Sequence, residues 1–115
     1  MQQDVNYDTN RIINHMKAHH CGFANRAKRG QIALALFLED RYFRDLCSQI
    51  PEIITSSAEG YYFLPTEDPT GTEEAKALEL IDENRRRAIA LFLRSKRQKR
   101  AVREMATRRI QMSMF

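Results

Sequence analysis

The sequence predicts an α+β fold, mostly helical, with a short two-stranded hairpin and a long C-terminal helix. Three observations carry this. First, the apolar residues of 28–36 (Lys28-Arg29-Gly30-Gln31-Ile32-Ala33-Leu34-Ala35-Leu36) fall at helical spacing, and a second helical stretch, 40–50, follows after a very short turn. Second, Ile53-Ile54-Thr55, a polar turn ending in Gly60, and Tyr61-Tyr62-Phe63-Leu64 read as two short strands. Third, no helix breaker occurs from Thr72 to Phe115. Two helices and a hairpin in that order make a winged helix-turn-helix, a common module for setting a helix in a DNA groove.

Taken in order, Met1 to Tyr7 is polar and reads as loose. Asp8 or Thr9 is placed to cap a first helix by accepting a bond from an orphan backbone N–H. That helix runs to about His20, with Ile12, Ile13 and Met16 on one apolar face. Cys21 to Lys28, with Gly22 and Asn25, reads as a loop. A second helix is expected over roughly Arg29 to Phe37 and a third from about Arg41 to Ile50, with Asp40 as its cap. Phe43, Leu46, Cys47 and Ile50 follow the spacing of a buried face, and Arg41, Arg44, Asp45 and Ser48 fall opposite. Pro51 stops this helix. In the hairpin, two of Tyr61, Tyr62 and Phe63 are expected to pack on the helices. Pro65, Pro69 and Gly71 punctuate a linker over 66–71, which separates a winged domain at 1–65 from the charged helix at 72–115. Glu73 and Glu74 suit the positive end of that helix's dipole.

The chain has 115 residues, 43% hydrophobic, enough for one small core plus an extension. Its charged fraction of 30% exceeds the usual level of about a quarter. The net charge of +4 conceals a sharp asymmetry. Residues 66–83 carry seven acidic side chains against Lys76, whereas 85–109 carry eleven basic ones against Glu104. Local density of this kind sets the local field and favours a polyanionic partner. Cys21 and Cys47 sit at no metal or disulfide spacing and read as reduced thiols, Cys47 buried. No signal peptide and no run approaching the roughly 20 apolar residues of a membrane span is visible. A cytoplasmic location is therefore expected, either nucleoid-associated or in a host cytoplasm.

On the third helix, Arg41, Tyr42, Arg44 and Ser48 are candidates for reaching phosphates or base edges, because Arg is the commonest reader of guanine in the major groove. Arg26, Lys28 and Arg29 precede the second helix, where cations and backbone amides together favour a phosphate. Arg94, Lys96, Arg97, Lys99, Arg100 and Arg103 form a second candidate contact on the last helix. The turn Ser56-Ser57-Ala58-Glu59 has no cation, which gives the hairpin a structural role rather than a phosphate grip. Ala77, Ile81, Ala88, Leu91, Val102 and Met105 alternate in steps of three and four, as in a packing seam, with Asn84, Ser95 and Gln98 in the same row. An antiparallel pair would set acidic first halves beside basic second halves, so a homodimer through this helix is one expectation. His15 and His19 share a face at a spacing that suits zinc, but with no second ligand pair they are read as surface histidines, and no metal or cofactor is expected. No Gly-rich phosphate loop, nucleophile motif or acid pair occurs, so no enzymatic activity is expected.

The pattern Arg29…Ile32-Ala33…Leu36, then Asp40-Arg41…Phe43-Arg44…Leu46, then Ile53-Ile54-Thr55-Ser56…Gly60-Tyr61-Tyr62-Phe63 resembles small winged-helix proteins of phages and prophages of Firmicutes. The resemblance covers roughly residues 8–103, including the basic helix. It implies a DNA-binding protein, regulatory or replication-related, with Arg41 and Arg44 as the recognition-helix contacts. The chain departs from that pattern at Leu34 to Leu38, where an apolar stretch replaces a small polar or glycine-containing turn.

The expected activity is thus binding of double-stranded DNA through the third helix, with the last helix adding phosphate contacts. A protein-interaction adaptor is the alternative, using the acidic and apolar parts of 67–93 for docking. A peripheral membrane protein, inserting Ile110, Met112, Met114 and Phe115, is a third class.

Overall fold

The computed structural model describes residues 4–114. The architecture is α+β: helices α1 (Val5–His19), α2 (Arg29–Ala35) and α3 (Asp40–Cys47), an antiparallel hairpin of β1 (Ile53–Ser56) and β2 (Gly60–Phe63), and a long helix α4 (Thr72–Ser113). The chain divides into two compact units, one running to Ile81 and the other from Asp82 onward. The first unit therefore takes in 66–71 and the first ten residues of α4, beyond the expected boundary at 65. No helix among the described residues is long and apolar enough to cross a membrane.

Helix α1 begins earlier than the sequence suggests. Asp4, not Asp8 or Thr9, caps it by accepting the Tyr7 amide at 3.0 Å. Val5 to Tyr7 are thus helical rather than loose, and Met1 to Gln3 lie outside the described residues. Ile12 and Met16 are fully buried, as their spacing predicts, and Ile13 is partly so. Asp8 is buried instead of capping. It accepts the Tyr42 hydroxyl of α3 at 2.8 Å and pairs with Arg11 at 3.4 Å. Arg11 in turn donates to the Leu36 carbonyl at 2.7 Å, which satisfies an orphan acceptor at the end of α2.

Helix α2 ends at Ala35, two residues before expectation. The Phe37 amide bonds the Leu34 carbonyl and the Leu38 amide bonds the Ala33 carbonyl, the pair of bonds that closes a helix over a left-handed residue. That residue is Phe37, at φ 57, where glycine is usual. Its ring is 91% exposed, so the strain has no burial to offset it. The apolar turn from Leu34 to Leu38 is thus built on a strained aromatic. Helix α3 buries Phe43, Leu46, Cys47 and, just past its end, Ile50. Asp40 does not cap it; Glu39 holds that position without a side-chain bond. Nor does Pro51 stop it: α3 ends at Cys47, and tighter bonds from Gln49 to Leu46 and from Ile50 to Cys47 turn the chain.

In the hairpin, Ile53 faces Phe63 and Ser56 faces Gly60. Gly60 has φ 103, and a Cβ there would lie 2.5 Å from the Ala27 carbonyl oxygen, so only glycine fits. The segment expected as a loop, Cys21 to Lys28, contains a short 3₁₀ turn (Phe23–Asn25) and bridges to the free edge of β2 on both sides of it. Tyr61 and Ala27 exchange two backbone bonds, at 2.8 and 3.1 Å, and Phe63 donates to His20. Tyr61 and Phe63 pack into the helical core, as the alternation predicts. Tyr62 faces the other way, yet it is fully buried against Ile54, Ala77 and Leu80. The start of α4 therefore covers the second face of the hairpin. Asp68 fixes that start by accepting the Glu73 and Glu74 amides at 3.1 and 2.8 Å. The Glu73 carboxylate reaches back to the Phe23 amide, both oxygens at 3.2 Å.

One polar atom is left over. The Tyr62 hydroxyl is buried and has no hydrogen-bond partner among the described residues. An unpaired buried hydroxyl costs about 1–3 kcal/mol. Tyr62→Phe is therefore expected to unfold at equal or higher denaturant concentration than the natural chain; a loss of more than about 1 kcal/mol would show that the hydroxyl is partnered.

Candidate nucleic-acid interface

The cations expected before α2 are engaged within the fold. Arg26 pairs with Glu59 at 3.1 Å, donates to the Phe23 carbonyl, and lies 4.1 Å above the Phe23 ring. Lys28 donates to the Ala58 carbonyl at 2.9 Å. Both thereby tie the approach to α2 to the hairpin turn. Arg29 bonds Asp40 at 2.8 Å, and that bond, followed by one to Tyr61, holds its pKa above the ordinary value. These pairs are partly exposed, and such pairs contribute only about 0–1 kcal/mol, so a phosphate can compete for the same cations.

On α3 the expected set divides. Arg41 and Arg44 are exposed and make no ion pair among the described residues. Tyr42 does not belong to that face: it is half-buried, packs on the core and holds Asp8 through its hydroxyl. Its position explains why: one residue before Phe43, it falls at the edge of the buried face rather than opposite it. Ser48 is exposed at the end of α3, with its hydroxyl donating to the Asp45 carbonyl at 2.6 Å. The free face of α3 is thus narrower than the sequence suggests, and Arg41 and Arg44 define it.

Arg94, Lys96, Arg97, Lys99, Arg100 and Arg103 all lie exposed on α4. Arg100 approaches Glu104 at 3.5 Å and Lys96 lies 5.4 Å above the Phe92 ring. Arg85, Arg86, Arg87, Arg108 and Arg109 are exposed on the same helix and belong with them, Arg86 paired with Asp82. The two units differ in sign. Residues 82–115 hold eleven basic and three acidic side chains, a net of +8, and residues 1–81 hold eight basic and twelve acidic, a net of −4. The basic potential therefore resides in α4, and the first unit contributes Arg41 and Arg44 against an acidic background.

Two further clusters involve other residues. His15, His19 and His20 gather their rings, with centroids 4.8 to 6.3 Å apart, beside Gln31 and Ile32 of α2. His20 donates from Nδ1 to the Asn25 carbonyl at 3.0 Å. No group of three or more His, Cys, Asp or Glu among the described residues is arranged to hold a metal ion. Cys21 and Cys47 are both free thiols; burial pushes the Cys47 thiol up to about 12 and makes it inert.

No protein family, no curated protein and no solved structure matches the chain.

His15 makes stability depend on pH. Burial, then the neighbouring His20 and His19, lowers the His15 pKa below 6.5. The folded state thus binds this proton less readily than the unfolded chain. Its contribution is complete above pH 6.5 and declines as pH falls from there through the lowered folded value. Thermal melts between neutral and mildly acidic pH are expected to show falling stability, and His15→Gln to flatten that dependence. An unchanged pH profile in the variant would remove His15 from this role.

Proposed function

We propose that the protein binds duplex DNA as a winged helix-turn-helix protein, with the basic half of α4 gripping phosphates and the exposed face of α3 reading the groove. The observation that carries the proposal is the run of eleven exposed cations between Arg85 and Arg109, opposed by a single acid. These 25 residues span about 37 Å of helix. Over such a length a duplex carries about 20 phosphate charges, so many contacts are available at once. Phosphate contacts release counterions, so affinity falls steeply with salt. The order of elements supports the place of α3. It follows a tight turn from α2, its apolar face is buried, and its first turns present Arg41 and Arg44. First-turn residues of the second helix are the ones that meet base edges in this class. A regulatory or replication-related role is the one that the resemblance to phage and prophage winged-helix proteins implies.

A second reading, an interaction adaptor, is favoured by a different observation. Leu34 is 76% and Phe37 91% exposed at the α2–α3 turn, on a unit of net charge −4. Adjacent exposed apolar side chains mark docking surfaces more often than DNA contacts.

The two readings separate on a duplex selected from a random pool. Arg41→Ala and Arg44→Ala are each expected to weaken specific binding by about 1–3 kcal/mol and leave non-specific binding nearly unchanged. Unchanged specific affinity in both variants would take α3 out of the interface. Absence of any DNA binding at low salt would leave the adaptor.

A further inference from the structure

From Asp82 to Ser113, α4 has no buried side chain among the described residues. Its charges are nonetheless ordered around the helix. Ala88, Leu91, Ser95, Gln98 and Val102 succeed one another in steps of three and four and form one uncharged stripe. Arg87 and Arg94 border that stripe on one side, Arg85 and Lys99 on the other. The far side of the helix is different. Asp82 and Arg100 lie nine residues from Leu91, and Arg86 and Glu104 nine from Ser95. Nine residues make about two and a half turns, so all four point away from the stripe. The same four residues form the ion pairs Arg86–Asp82 and Arg100–Glu104. Glu104, the single acid between Arg85 and Arg109, is thus kept off the stripe and its borders.

We propose that this stripe faces the floor of the major groove of B-form DNA, with its borders on the phosphates of both strands. The inference rests on the proposed function and adds the seat of the helix. The complementarity is one of charge and of size. Phosphates line both walls of a groove, and base edges form a floor without net charge between them. The major groove, about 12 Å wide, admits a helix of about 10–12 Å, and the minor groove, about 6 Å wide, does not. A helix laid across the outside of a duplex uses cations on one face and gains nothing from a neutral row between them. A second copy of the helix fits the row less well, since the four bordering cations would meet their like along the seam. Along the stripe Ala88, Leu91 and Val102 offer the floor no hydrogen bond, so the seat contributes affinity more than readout. An RNA duplex has a major groove too deep and narrow to enter, so the seat also separates DNA from RNA.

Two substitutions in the full chain test the orientation, because they add the same charge on opposite sides. Val102 lies on the stripe and Leu93, nine residues away, lies opposite; both are exposed, at 60% and 45%. Glutamate is no worse a helix former than valine and about equal to leucine, so neither change weakens α4. Both variants are titrated against a random-sequence duplex at one fixed salt concentration. Val102→Glu is expected to bind about tenfold or more weakly, because its carboxylate is set between two phosphate walls. Leu93→Glu is expected to lose less than about threefold, because the helix holds it about one Debye length from the groove. An RNA duplex of equal length is expected to bind the natural chain at least about fivefold more weakly than DNA does. Equal losses in the two variants, or equal binding of RNA and DNA, overturn the groove seat and leave the phosphate grip standing. No binding of DNA by the natural chain overturns both.

Discussion

Strand β2 is the constraint on which the first unit depends. Four residues long, it is buried throughout and bonded along both edges, to β1 on one side and to the 20–27 segment on the other. Its alternation sends Tyr61 and Phe63 into the helical core and Tyr62 beneath the start of α4. A single strand thereby holds α1, α3, the 3₁₀ turn and the first turns of α4 in one arrangement. The arrangement requires glycine at 60, where the Ala27 carbonyl comes too close for any side chain. It also leaves the Tyr62 hydroxyl stranded, a cost that the apolar packing around it outweighs.

The same packing decides which cations remain available. Arg26 and Lys28 fasten the hairpin turn, Arg29 fastens the start of α3, and Arg11 closes the end of α2. Most of the first unit's basic side chains near the helical face thus serve its own assembly. Arg41 and Arg44 are left on α3, and the density of positive charge lies on α4. On the proposed function this separates two tasks. On that proposal the long helix would supply affinity without regard to sequence, and the small face of α3 would supply discrimination.

Much of this fold is legible in the sequence because local rules govern it. The three-and-four spacing of Phe43, Leu46, Cys47 and Ile50 marks the buried face of α3, and the hairpin follows from two β-rich runs around Gly60. What escaped depends on partners distant in the chain. Asp8 reads as a cap, yet its carboxylate is claimed by Tyr42, 34 residues away, and Asp4 caps instead. Tyr62 reads as the outward residue of a two-faced strand, because nothing local announces that Ala77 and Leu80 will cover it. The Cys21–Lys28 segment has a single β-favouring residue, Phe23, yet pairs with β2 through its backbone, which composition does not encode. At the candidate site, the basic helix is legible from charge alone. The engagement of Arg26, Lys28 and Arg29 is not, because their acceptors, Glu59, Ala58 and Asp40, come from other elements.

The proposed function assigns the phosphate grip to α4. Its most direct test is a fluorescence-anisotropy titration of a random-sequence duplex at about 50 and about 200 mM salt, with the full chain and with a chain ending at Asp82. The shortened chain retains Ala77 and Leu80, hence the whole packed unit, and a cooperative thermal transition would verify that. The account predicts salt-sensitive binding by the full chain and its near-complete loss on truncation. Equal binding by both chains, or no binding by the full chain at the lower salt, would contradict it.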